Sequence, residues 1–116
     1  MGSRIHTQLI EALVVMEAAA TPANPDYILK QLARLMLHFP SISHSENEMK
    51  ELLRDYFSDL AEYPQDLIEM ACTHYRRSRD SRYFPKVGQL LCLMQDRWSM
   101  RKWRLEKLRR LAAAAK

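Results

Sequence analysis

With 116 residues, 47% of them hydrophobic and 28% charged, the chain has room for one modest core and is too apolar to be disordered. Only two glycines stand among many good helix formers (Ala, Leu, Met, Arg, Glu and Gln), which excludes a turn-rich β fold. The net charge of +4 conceals a division: residues 1–73 hold 5 Lys/Arg against 11 Asp/Glu, a net −6, and residues 74–116 hold 13 against 3, a net +10. A basic C-terminal third on an acidic body points to an anionic partner: nucleic acid, an acidic protein surface, or the chain's own front half. Solvated helix faces with intramolecular pairing are the plain alternative.

The first predicted helix runs from about Ser3, a candidate cap, to Ala20. Ile5, Leu9, Leu13 and Met16 recur at helical spacing, and Ile10, Val14 and Val15 widen the stripe. Pro22 and Pro25 break the helix and leave a short linker. The apolar run from Ala12 to Ala20 is interrupted by Glu17 and too short to span a bilayer, so no membrane association is expected and a cytoplasmic setting is.

A second helix opens at Asn24, whose side chain suits the N-cap, with Pro25 at N1 and Asp26 in the first turn. Ile28, Leu29, Leu32, Leu35, Met36 and Phe39 give it an apolar face, Pro40 stops it, and Ile42 is expected to anchor the loop beyond. Ser45-Glu46-Asn47-Glu48 reads as a capping box that starts a third helix, about 46–62. Its Met49, Leu52, Leu53, Tyr56, Phe57 and Leu60 oppose a charged face.

The fourth helix opens at Pro64 and turns Leu67, Ile68, Ala71, Cys72 and Tyr75 inward. It runs into Arg76, Arg77 and Arg79, and Asp80-Ser81 then mark a turn. The fifth opens at Pro85, with Val87, Leu90, Leu91, Met94 and Trp98 as its inner stripe, which Leu105, Leu108 and Leu111 continue. Gly88 costs that helix about 1 kcal/mol relative to Ala and is a candidate for close approach of a neighbouring helix. The closing Ala112–Ala115 run has nothing to bury and is expected to fray. The expected architecture is all-α: a small antiparallel bundle of about five helices in one domain, comprising 1–23 as N-terminal helix and linker, 24–97 as core and 98–116 as a basic helical extension.

No constellation for catalysis emerges, so no enzyme activity and no cofactor are expected. Cys72 and Cys92 stand in apolar stripes and read as reduced core thiols. The four histidines make no metal-ligand spacing with them, and no Gly-rich phosphate loop exists. Two basic segments are the binding candidates. The first is the connection between the fourth and fifth helices, where Arg76, Arg77, Arg79, Arg82 and Lys86 surround Tyr75 and Tyr83. Guanidinium forks suit phosphate there; pairing with Asp66, Glu69 or Asp80 is the structural alternative. The second is the C-terminal helix, where Trp98 and Trp103 interleave with Arg97, Arg101, Lys102 and Arg104, and Leu105, Leu108 and Arg109 follow. It suits nucleic acid, a partner groove, a second copy of the chain, or a final core helix with a solvated back.

The order Phe39-Pro40, Tyr63-Pro64 and Tyr83-Phe84-Pro85, followed by Gly88-Gln89-Leu90, resembles small phage and prophage replication proteins of the helicase loader/inhibitor group. The resemblance covers about residues 27–95. Where that group often has a second proline at the last step, this chain has Lys86. The resemblance implies a helical, non-enzymatic protein that binds a hexameric replicative helicase, with the segment from Trp98 onward as the portion that engages it.

Overall fold

The computed structural model describes residues 2–39 and 44–115, with side chains described from Arg4 onward. The expected Pro40 stop and Ile42 anchor lie outside the described residues, and Ser3, expected as a cap, instead stands inside a helix that already begins at Gly2. The protein is all-α, with helices α1 (Gly2–Ala19), α2 (Pro25–His38), α3 (Glu46–Leu60), α4 (Gln65–Arg77) and α5 (Val87–Ala114). Its residues group into two compact units, Pro22–Gln95 and Met1–Thr21 with Asp96–Lys116.

In the unit Pro22–Gln95, α2 packs against both α3 and α4. The caps work as the residue types dictate. The Asn24 side chain accepts from the Asp26 N–H at 2.8 Å. Ser45 and Glu48 form the reciprocal capping box, with Glu48 N–H on Ser45 Oγ at 3.2 Å and Ser45 N–H on Glu48 Oε1 at 3.4 Å. The core is made of Ile28, Leu32, Leu35, Leu60, Leu67, Ile68, Leu90 and Met94, all nearly or wholly closed to solvent. Gln31 is buried among them, and its amide donates to the Tyr27 hydroxyl at 3.0 Å. The linker is tied down: the Ala23 N–H donates to the Tyr63 carbonyl at 2.9 Å, beside an isolated bridge between Pro22 and Pro64.

The other unit pairs α1 with residues 96–114 of α5. On α1 and the turn that ends it, His6, Leu9, Leu13, Met16 and Ala20 are half-buried, at the alternating three- and four-residue steps of one helix face. On α5, Trp98, Leu105 and Ala112 are buried and Arg101 and Leu108 half-buried, with the same alternation. Arg101 donates to the Ala19 carbonyl at 2.8 Å, satisfying a backbone acceptor at the end of α1. Arg109 Nε meets Glu17 Oε1 at 3.2 Å.

Several expectations change: Ile5, Val14, Val15, Leu29 and Leu111, expected on apolar faces, are exposed. Cys92 is exposed, not a core thiol. From Leu90 to Cys92 the helix turns by about 200°, which carries Cys92 away from the inner stripe. Gly88 admits no neighbour: a Cβ there would meet nothing within 4 Å. Ala112 is buried and α5 continues to Ala114, so the alanine run completes the inner stripe instead of fraying from Ala112.

Candidate interaction surfaces

The connection between α4 and α5 is a fixed platform. Ser78 caps α4, its N–H donating to the carbonyls of His74 at 3.1 Å and Tyr75 at 3.3 Å. The Ser81 N–H returns to the Ser78 carbonyl at 3.2 Å. The Tyr75 hydroxyl donates to the Tyr83 carbonyl, and the Tyr56 hydroxyl to the Pro85 carbonyl at 2.7 Å. Phe84 stacks on Tyr56 with ring centroids 5.5 Å apart, and Pro85 is buried. Gln89 then caps α5 from within, its Oε1 accepting the Lys86 N–H at 2.8 Å. The Gly88-Gln89-Leu90 element thus supplies a helix start, with Leu90 in the core.

Arg77, Arg79, Arg82 and Lys86 stand exposed around this platform. Among the described residues no ion pair engages them, and neither Glu69 nor Asp80 holds them. Arg76 is half-buried instead. Burial pushes the Cys72 thiol up to about 11, while the nearby Arg76 and Arg34 pull the other way.

On the C-terminal half of α5 most cations are engaged within the chain. Lys102 Nζ lies 5.2 Å from the Trp98 ring centroid and Lys107 Nζ 5.0 Å from that of Trp103. Arg101 holds Ala19 and Arg109 holds Glu17, while Arg109 and Arg110 both reach Glu106, at 3.9 and 3.4 Å. Arg97 and Arg104 remain exposed with no such partner among the described residues. Of the apolar candidates, Trp98 and Leu105 are buried and Leu108 half-buried, committed to the α1 pairing. Trp103 is 56% exposed, Met100 48% and Leu111 50%. Trp103 and Leu111 lie on the outer side of the helix, whereas Met100 lines a separate hollow with Arg97, Arg104 and the α1 residues Met16 and Ala19. A shallow groove runs along the outer side between Trp103, Lys107, Leu111 and Ala114.

Among the described residues no group of His, Cys, Asp and Glu is arranged to hold a metal ion, and no helix is long and apolar enough to cross a membrane. No protein family, curated protein sequence or solved structure matches the chain.

Proposed function

We propose that this protein is a non-enzymatic adaptor of phage or prophage type that docks a protein partner through the outer stripe of α5. The observation that supports this reading is the duplication of stripes on residues 96–114. The inner one is already closed by α1, so Trp103 and Leu111 on the outer side are surplus to the fold. An exposed Trp with a Leu about two turns on, flanked by Lys107 and Arg110, has the composition of an interface core. The helix lays those anchors into a groove, and Arg97 and Arg104 favour an acidic rim on the partner. A second copy of the chain would set like charge against like charge, so a different protein fits better. The resemblance of the three aromatic-proline steps to helicase loader/inhibitor proteins gives the partner: a hexameric replicative helicase, which the adaptor loads or blocks.

The test is co-elution with a purified replicative helicase after nuclease treatment, for the wild type and for the double variant Trp103→Ala, Leu111→Asp. The wild type is expected to co-elute and the variant to elute alone while keeping its circular dichroism. Co-elution of both, or of neither, would count against the proposal. Point variants are preferred to removal of residues 98–116, because that removal also strips Trp98 and Leu105 from the core.

A further inference from the structure

We infer that the α4–α5 connection is a second, independent site, which binds the backbone of single-stranded nucleic acid and stacks one base on Tyr83. Three observations on the platform converge. The first is charge. Arg77, Arg79, Arg82 and Lys86 are all exposed, and no ion pair engages them among the described residues. The single carboxylate in the segment, Asp80, is exposed and offsets only part of that charge. Arg77 lies in the last turn of α4, where the helix dipole welcomes a cation. Lys86 precedes the first turn of α5, where the dipole opposes one. Its ammonium therefore does nothing for the helix it begins, and the fold uses only its backbone N–H, through Gln89.

The second is the aromatic ring. In the Tyr83-Phe84-Pro85 run, Phe84 turns inward onto Tyr56 and Pro85 is buried, whereas the Tyr83 side chain is left outside, 78% exposed. Only its backbone serves the fold, by accepting from the Tyr75 hydroxyl. The third is rigidity. The bonds from Ser78, Tyr75, Tyr56 and Gln89 fix the backbone on which cations and ring stand, so little ordering remains for the moment of binding. Cations that follow phosphates beside a sequence-tolerant stacking face are the requirements of a single strand. A duplex keeps its bases stacked and offers a lone surface ring nothing to stack on, and a protein groove calls for more apolar anchors than Tyr83, the one large apolar side chain exposed between Arg77 and Lys86.

Fluorescence anisotropy of a labelled oligothymidine tests this. With about four phosphates neutralised, raising salt from about 50 to about 200 mM should weaken binding about 50-fold. Tyr83→Ala should weaken it about 5- to 150-fold and Tyr83→Phe by less than about twofold, because the face that stacks is kept. The double reversal Arg79→Glu, Arg82→Glu should abolish measurable binding, whereas Trp103→Ala should leave it unchanged. Because every position is exposed, circular dichroism should match the wild type throughout. The inference is overturned by an absence of binding at about 50 mM salt, by salt-independent affinity, by an unaffected Tyr83→Ala, or by tighter binding to a duplex of the same length. It is equally overturned if the arginine reversals abolish capture of an acidic protein while the wild type binds no oligonucleotide.

Discussion

Trp98 and Trp103 lie little more than one turn apart on α5 and have opposite fates: the first is 6% exposed and the second 56%. The same contrast separates the two cysteines. Cys72 is buried, and with its pKa at about 11 only about one thiol in ten thousand is ionised at neutral pH. Iodoacetamide should therefore modify Cys92 in the native protein and leave Cys72 intact until the chain is unfolded, as read by peptide mass spectrometry. Labelling of both at similar rates would contradict the burial. Gly88 gives a second prediction at this scale. It is helical, exposed and without neighbours, so the backbone freedom that it retains in the unfolded chain serves no contact. Gly88→Ala should stabilise the protein by up to about 1 kcal/mol, seen as a higher denaturation midpoint. A lower midpoint would mean that the glycine is required where it stands.

At the scale of elements, α3 depends on its capping box. Hydrogen bonds from Ser45, and then from His44, hold the Glu48 carboxyl below its ordinary pKa. A depressed carboxyl pKa stabilises the fold above the unfolded-state value and loses that contribution as pH falls through the folded-state one. Wild type should therefore lose stability in acid more steeply than Glu48→Gln, and parallel profiles would remove the box from the account. Ser45→Ala should cost about 1 kcal/mol at neutral pH. The pairing of α1 with α5 makes a further prediction. Deleting residues 98–116 uncovers Leu9, Leu13 and Met16 along with the lost core residues. The shortened chain should lose the helix signal of α1 as well as that of the deleted segment in far-ultraviolet circular dichroism. A loss confined to the deleted residues would show that α1 stands alone.

Most of the elements were legible because their signals are local. Asn24-Pro25, the Ser45–Glu48 box and the inward faces of α2, α3 and α4 each follow from neighbours a few residues apart. The surface was harder to read, for a geometric reason. Leu105, Leu108 and Leu111 advance by threes, and each such step falls about 60° short of a full turn. The inner stripe needs alternating threes and fours, which passes through Leu108 to Ala112 and leaves Leu111 outside. Reading by hydrophobicity favoured the leucine over the alanine. The same arithmetic would have placed Cys92 outside and set Trp103 on the outer side with Leu111. Which of the arginines are engaged was not legible at all, because Glu17 and Ala19 are far from Arg109 and Arg101 in sequence and meet them only in the fold.

For the whole molecule, the acidic body and basic third of the sequence resolve into cations of two kinds. Those of the C-terminal half of α5 are largely satisfied within the chain, and they frame an apolar stripe; those of the α4–α5 connection are bare. The first arrangement suits a protein groove and the second a polyanion, so the two surfaces should fail independently when altered. The outer face of α5 is proposed to hold a protein partner. Titration calorimetry of a purified hexameric replicative helicase with the wild type and with Trp103→Ala addresses this most directly. A stoichiometric complex weakened at least about 30-fold by the substitution, as for an interface hot spot, is the predicted result. Equal affinity for the two proteins, or no heat of binding from the wild type, would contradict it.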